Sequence, residues 1–418
     1  MLGTLMLVLF LCLFATVPIA LSLGISTLGV FATQFPSMPM ANNLAQAMIT
    51  SADSFPLMAI PFFMLAGTIM NAGGVATRIF DFCNTLVGHI PGGLGHVNVF
   101  CSVIFAGMSG SALADTGGIG AIELKAMKDQ GFDEDFSAAI TGASSCLGPI
   151  IPPSTGMVLY AMMAEESVGT LFIAGVLPGI IMAAAMCLIV YITAKRRNYP
   201  ISPRVTWKER GRAFWRAVPA LLSPVILLSG ILLGIFSATE ASVVCCLYSL
   251  FLGIFIYKEL SPKGLYNVFL DTLKSSGMVM ALVTFSMLLA TILNYNQIPQ
   301  AVAAWAVTHI TSKVGIILAC MVLIIIAGMV IDVTPAMLIL IPIMMPVIRQ
   351  YGITPIAFGV ASTLLFSQGL LTPPVGSILY VLADYTKMPV MRIAKNMIPY
   401  IITFMVLAFC FMMFPQIC

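Results

Sequence analysis

The chain has 418 residues, of which 60% are hydrophobic and 8% charged, with a formal net charge of +3. A typical soluble domain carries about 25% charged residues, so this composition excludes a cytosolic globular enzyme, and nothing in it points to nucleic acid. At roughly 20 apolar residues per transmembrane helix it predicts on the order of ten to twelve membrane-embedded segments, and the continuously apolar runs are those of helices rather than of the alternating strands of a barrel.

Residues 1–31 carry no charged side chain and are too long for a signal-peptide core, which predicts a retained first helix. A run from Val97 to Ala106, too short to span, leads into Gly107-Met108-Ser109-Gly110-Ser111-Ala112-Leu113-Ala114-Asp115-Thr116-Gly117-Gly118-Ile119-Gly120, whose glycines and serines disfavour helix. Irregular backbone at membrane depth is tolerated only where it is buried in protein or lines an aqueous cavity. The charged stretch from Glu123 to Asp135 must bring Lys125, Lys128, Asp129, Asp133, Glu134 and Asp135 to water, so the chain is predicted to enter, expose these charges and return. It returns through Gly148-Pro149-Ile150-Ile151-Pro152-Pro153-Ser154-Thr155-Gly156, where three prolines remove donors and free carbonyls upstream. Freed carbonyls and hydroxyls suit a hard cation, and half-helix N-termini suit an anion.

At mid-chain, Lys195, Arg196, Arg197, Arg204, Lys208, Arg210, Arg212 and Arg216 stand against the single acid Glu209. This marks a cytoplasmic loop by the positive-inside rule, with Trp207 and Trp215 near the headgroups. The second half breaks again at Gly328-Met329-Val330-Ile331-Asp332-Val333-Thr334-Pro335 and at Gly369-Leu370-Leu371-Thr372-Pro373-Pro374-Val375-Gly376. The halves match: Ile104-Phe105-Ala106-Gly107-Met108 against Ile325-Ile326-Ala327-Gly328-Met329, Gly148 against Gly369 and Pro152-Pro153 against Pro373-Pro374 keep one offset, 328 − 107 = 221. An earlier pair, Thr68 to Asn71 against Thr291 to Asn294, is offset by 223. Duplicated halves in a polytopic helical protein are the mark of secondary transporters.

The predicted fold is therefore an all-α polytopic membrane protein of two repeats, taken as inverted because the polar breaks read as re-entrant hairpins. The first repeat is set at 1–194 with a hairpin near 97–155, a basic cytoplasmic linker at 195–217, and the second repeat at 218–418 with a hairpin near 314–380. Asp115 and Asp332 are the candidate functional acids, because each follows a matched Ala-Gly-Met. Glu240 and Asp384 are expected at helix ends in water. The ten cysteines show no ligand spacing and are read as packing residues, as are the methionines, and His89, His96 and His309 lie apart. No nucleophile–base pair, zinc motif or Walker A loop occurs, so the chain is expected to be no enzyme and to use an ion gradient for uphill transport.

Four segments are specific: Phe105 to Ile122 (F-A-G-M-S-G-S-A-L-A-D-T-G-G-I-G-A-I), Leu147 to Thr155 (L-G-P-I-I-P-P-S-T), Leu171 to Gly179 and Leu370 to Gly376. With them, and with Pro56 to Asn71, the chain resembles over essentially its whole length the large membrane subunit (M subunit, DctM-like) of the tripartite ATP-independent periplasmic, or TRAP, transporters. The resemblance implies an elevator in which a hairpin-bearing transport domain slides past a scaffold domain braced by a small four-helix Q subunit. It also implies the bacterial inner membrane, a periplasmic substrate-binding protein (P subunit), an organic-acid substrate, sodium as coupling ion and no organic cofactor. Carried onto this sequence, one sodium site involves Ser109, Ser111, Gly148 and Pro152, and the other Gly328, Asp332, Gly369, Thr372 and Pro374. Substrate is expected near Ser111, Asp115, Thr155 and Ser377. Where many members place an asparagine two residues after T-P-P-V-G, this chain has Ile378, so its second tip is less polar. Since the sequence starts at the first large-subunit helix, a separate small subunit is expected. A stand-alone carboxylate symporter of related elevator fold, or a channel, are the alternatives.

Overall fold

The computed structural model describes residues 2–15, 17–34 and 38–418. The first half holds α1 (Leu2–Phe14), α2 (Ile19–Gln34), α3 (Met38–Ala52), α4 (Ala59–Ala72), α5 (Val75–Val87), α6 (Gly93–Ser109), α7 (Ala112–Gly117), α8 (Ile119–Asp129), α9 (Glu134–Ser145), α10 (Thr155–Ala164) and α11 (Val168–Arg197). The second holds α12 (Trp207–Leu232), α13 (Ala238–Phe251), α14 (Pro262–Tyr295), α15 (Ile298–His309), α16 (Lys313–Val330), α17 (Val333–Gln350), α18 (Pro355–Gly369), α19 (Ser377–Thr386) and α20 (Val390–Met413). The single first helix expected over 1–31 is two helices. Pro18 has no N–H and biases Val17 away from helix, so α1 ends before it and α2 starts after it.

Seven helices are long and apolar enough to cross a membrane, or eight if the pair Leu44–Ala52 and Pro56–Ala72, bent by 52°, is one span. Length alone overstates crossing, because α16 and α17 pass that test and yet form one hairpin. Lys313 at the start of α16 donates to the Gly352 carbonyl just past α17, at 3.2 Å. The Tyr351 hydroxyl donates to the carbonyls of Ile310 and Ala306, so both arms begin and end together. Hairpin 1 is built from α6 and from α7 with α8. The stretch 97–155 thus resolves into this hairpin and a separate helix, α9–α10, interrupted at 146–154.

The two hairpins open on opposite faces. At the base of hairpin 1, the rings of Phe132 and Phe136 pack at a tilt against Tyr199 with centroids 4.6 and 5.0 Å away, and Arg392 at the start of α20 forks onto Asp135 at 2.7 and 2.9 Å. At the base of hairpin 2, Arg349 donates to the Ala164 carbonyl at the end of α10, and the Tyr160 hydroxyl to Pro355 at 2.6 Å. One end of the molecule therefore gathers Lys125, Lys128, the basic linker and Arg392, while Lys313 and Arg349 mark the other. Within the linker only 198–206 are non-helical. Residues 146 and 367, themselves 221 apart, touch where the broken helices cross, Cys146 Sγ lying 3.6 Å from the Ser367 carbonyl. The repeats are thus inverted about an axis through this crossing.

The hairpins and broken helices, with α11 and α20, pack as one core body, and α1–α4 with α12–α14 pack together as a second, outer body. Helix α5 joins them across the basic end. Arg78 near its start pairs with Glu259 at 2.7 Å, its buried stripe is Val75, Ala76, Ile79 and Cys83, and the chain after it enters α6 beside Ala194. The outward faces carry Leu7, Leu11, Leu222, Leu247, Phe255 and Leu273, as a lipid-facing surface requires.

Asp133 ties the basic end of the core. It caps α9 through Phe136 N at 2.8 Å, accepts from Arg197 at 2.9 and 2.8 Å, and accepts from the Tyr199 hydroxyl. Burial pushes its carboxyl up, but the hydrogen bonds from Tyr199 and Arg197 outweigh this and hold it below the usual carboxylate value. A depressed acid stabilises above its unfolded value, about 3.9, and that contribution is lost as pH falls through the folded value. Asp133→Asn, which keeps the cap, is expected to lower the melting temperature slightly at neutral pH, by under about 1 kcal/mol of stability. In melting curves across pH, the difference should shrink to nothing on acidification.

Candidate functional site

The tip of hairpin 1 forms because α6 stops at Ser109, Gly110 turns at φ +61°, and Ser111 caps the next helix by accepting from Ala114 N at 3.4 Å. Against it lies the break between α9 and α10. Thr155 Oγ1 donates to the Gly110 carbonyl at 3.2 Å, and Gly148 passes so close that a Cβ there would sit 3.0 Å from the Ser111 carbonyl carbon. Ser154 closes the break, capping α10 through Met157 N at 3.1 Å and donating to the Pro149 carbonyl at 2.5 Å. Ser109, Ser111, Gly148, Pro152 and Thr155 are therefore brought together. Among the described residues, the carbonyls of Gly148, Ile150, Ile151, Pro152 and Pro153 accept no hydrogen bond from the protein, and neither does Ser109 Oγ, on a residue 3% exposed. Buried oxygens are normally paired, so this cluster of unpaired oxygens has the chemistry of a hard-cation site.

The second half repeats the construction. Gly328 on α16 and Gly369 on α18 are in backbone contact, a Cβ on Gly369 meeting the Gly328 carbonyl oxygen at 2.4 Å. Val375 N donates to the Met329 carbonyl at 3.2 Å, fastening the break 370–376 to the tip of hairpin 2. Among the described residues, the carbonyls of Leu370, Leu371 and Pro373 accept no hydrogen bond, while Thr372 Oγ1 folds back onto Gln368 and Gly369 and the Pro374 carbonyl accepts from Tyr380. Asp332 is the N-cap of α17 without a capping bond from its side chain, and it is exposed. It matches Ser111, since 332 − 111 = 221, and not Asp115, whose counterpart is Ala336.

Asp115 is placed differently from the hydroxyls with which the sequence reading grouped it. It is turned into hairpin 1, 1% exposed, where Ser102 donates to its Oδ2 at 2.8 Å. Ser377, one residue past Gly376, begins α19 with its Oγ buried and without a partner. Helix α19 packs on α7, with Tyr385 donating to Gly117, and α10 packs on α17. Both pairs run parallel, so the N-termini of α7, α19, α10 and α17 all lie at mid-depth between the two breaks. Unpaired N–H groups and the helix dipole make that junction attractive to an anion.

The glycine-rich stretch 107–120, expected to be irregular, is mostly helical. Packing against α4, α9 and α12 outweighs weak propensity, and the helix fails only at Gly110-Ser111 and at Gly118. Glu240 and Asp384 are exposed at helix ends as expected, in a capping box with Ser237 and in a pair with Lys387 at 2.7 Å. One acid escaped the sequence reading altogether: Glu123, assigned only to a charged stretch, is buried on the inner face of α8. Comparison of the repeats carries the signal, because its counterpart at offset 221 is Met344.

Residues 6–417 match the family model described as the DctM component of the tripartite ATP-independent periplasmic transporter. The chain is 38% identical over 412 residues to the Haemophilus influenzae sialic acid TRAP transporter permease protein SiaT, covering 99% of this chain and 67% of that one. It is 37% identical to the Escherichia coli 2,3-diketo-L-gulonate TRAP transporter large permease protein YiaN, covering 90% and 88%. It is also 37% identical to the Pseudomonas aeruginosa C4-dicarboxylate TRAP transporter large permease protein DctM, covering 92% and 90%. The fold is similar to the crystal structure of the Alcanivorax borkumensis YdaH transporter, with a TM-score of 0.65 at 15% identity, covering 89% and 88%.

Proposed function

The chain belongs to the DctM family of tripartite ATP-independent periplasmic transporters, and from that premise we propose that it is the permease subunit for sodium-coupled import of an organic acid across the bacterial inner membrane. The observation that carries the sodium reading is the cluster of unpaired oxygens at Ser109, Gly148 and the Ile150 to Pro153 carbonyls, repeated around Gly328, Gly369 and Leu370 to Pro373. The four converging helix N-termini, with Ser111, Thr155 and Ser377 beside them, suit the carboxylate, and the paired sites explain how cation and anion travel together. Relatives named for sialic acid, diketogulonate and C4-dicarboxylates support an organic acid as the class.

Movement of the core past the scaffold fits the distribution of charge. With α5 counted with the scaffold, the five ion pairs among the described residues each lie within one body, and small residues let the bodies approach closely, as at Gly67 against Ser109 and Gly107 against Pro224. A surface without ion pairs slides at low cost. The exposed apolar flank of α12–α14 suits a small helical subunit, and a periplasmic binding protein would deliver substrate.

Ser109→Ala tests the sodium assignment. The hydroxyl has no protein partner, so its loss should leave the melting temperature unchanged or slightly higher. If it ligates sodium, the concentration for half-maximal uptake should rise about fivefold, equivalent to about 1 kcal/mol. Unaltered sodium dependence in the folded variant would remove Ser109 from the site.

A further inference from the structure

Glu123 occupies the buried stripe of α8, one turn from both Ile119 and Met127. It is 1% exposed, and neither carboxylate oxygen has a hydrogen-bond partner. Asp115 on α7 lies beside it, equally buried, with Oδ2 held by Ser102 and Oδ1 unpartnered. The other groups acting on Glu123 are the thiols of Cys101 on α6, a weak sulfur donor beside the carboxyl, and of Cys83 on the connecting helix α5, and no basic side chain is among them. Around it, Arg78 of α5 is engaged with Glu259, Glu134 of α9 with Lys128, and Tyr385 of α19 with the Gly117 carbonyl. Asp81 on α5 and Lys125 and Asp129 on α8 itself are exposed, and His96 is at the far start of α6.

The repeat supplies an internal control. At offset 221, Cys101, Ser102, Asp115 and Glu123 correspond to Val322, Leu323, Ala336 and Met344; at offset 223, Cys83 corresponds to Ala306. Ala336 and Met344 are themselves buried, so hairpin 2 packs with apolar side chains at both acid positions. The hairpin fold does not require the acids. A buried carboxylate with no cation and at most a weak thiol donor costs several kcal/mol, and a second buried acid adds repulsion, whereas a neutral carboxylic acid avoids both penalties.

We propose that Glu123, backed by Asp115, is a proton-binding site of hairpin 1, filled when the hairpin packs against α5 and emptied when water reaches it. The step is the addition of one proton to a carboxylate oxygen and its return to water. Since packing takes up a proton, mass action couples the hairpin to pH: acid favours the packed state and alkali loosens it. This goes beyond the sodium reading and does not rest on it.

Infrared spectroscopy of the full chain in lipid tests the site directly. At neutral pH the carbonyl band of a protonated carboxylic acid should be present, survive in Asp115→Asn, and disappear in Glu123→Gln and in Glu123→Met, the latter copying Met344 and so safe for folding. A second readout is alkylation of Cys83 by a membrane-permeant maleimide, which should accelerate several-fold more steeply with rising pH in the parent than in Glu123→Gln. A parent spectrum without the band, a band unchanged in Glu123→Gln, or matching alkylation profiles would overturn the proposal. Neither readout requires transport, so failure of the sodium reading leaves this test intact.

Discussion

Gly369→Ala is expected to reduce uptake by at least about tenfold while Gly352→Ala, only 17 residues away, leaves it nearly unchanged. A methyl at 369 would meet the carbonyl oxygen, carbonyl carbon and Cα of Gly328 at 2.4, 2.5 and 2.6 Å. These are backbone atoms of a packed helix, with no rotamer to move, so α16 and α18 must separate at the second cluster of unpaired carbonyls. Overpacking of this kind costs about 1–3 kcal/mol, which a membrane protein of ordinary stability survives as a folded chain. The loss should therefore appear mainly in transport, as a raised sodium requirement and a lower maximal rate. Gly352 has φ +61° but nothing within 4 Å of a Cβ, so alanine there carries only local backbone strain. Equal loss in both variants would show that the close approach of α16 and α18 is not what matters.

The largest effect in the first half is expected at Gly110, where two penalties coincide. Its φ of +61° disfavours any side chain by about 1 kcal/mol, and an added Cβ would stand 2.4 Å from the Pro153 carbonyl oxygen. That oxygen is one of the unpaired carbonyls of the first cluster, and the Gly110 carbonyl holds Thr155. Gly110→Ala must therefore push the hairpin tip off the break, and both sodium dependence and substrate affinity should suffer together, again by at least about tenfold. Gly131 is the matched control: its φ is +84°, nothing lies within 4 Å, and it sits at the exposed base of the same hairpin. Uptake by Gly131→Ala should stay within about twofold of the parent, because strain of about 1 kcal/mol at an exposed turn does not reach the tip. Uptake measured beside melting curves separates the two variants; a Gly110→Ala protein with normal sodium dependence would dismiss the tip as a binding element.

The repeat, the paired breaks and their inverted arrangement were legible because they rest on prolines and glycines, whose backbone consequences are nearly context-free. Pro152-Pro153 and Pro373-Pro374 interrupt helices in both halves as their sequence requires. Helix boundaries were less legible. Gly107 and Ser109 are helical despite their neighbours, because burial against α4, α9 and α12 outweighs propensity, whereas Pro18 splits an apolar run that hydrophobicity alone joins. Side-chain direction was least legible. Asp115 and Asp332 follow the same tripeptide, yet a difference of four residues puts one inside a hairpin and the other exposed at a helix cap. Glu123 shows the same limit, since it lies among Lys125, Lys128 and Asp129 in sequence but on the opposite face of α8. A helix turns about 100° per residue, so adjacent charges need not share a solvent.

The asymmetry between the halves follows from the same register. Ser154 and Thr155 beside the first break correspond to Val375 and Gly376 beside the second, so the first half offers hydroxyls where the second offers only backbone. A substrate held between four helix N-termini would then take its directional hydrogen bonds from the first half and mainly charge complementarity from the second. Thus affinity for the organic acid should respond to Thr155→Val more strongly than to Ser377→Ala.

The most direct measurement is uptake of a labelled organic-acid panel into proteoliposomes containing this chain with its small subunit, with and without the binding protein, under an inward sodium gradient. The account predicts accumulation above the external concentration that requires both the sodium gradient and the binding protein. Flux that only equilibrates whatever the gradient, or uphill uptake indifferent to sodium, would contradict it.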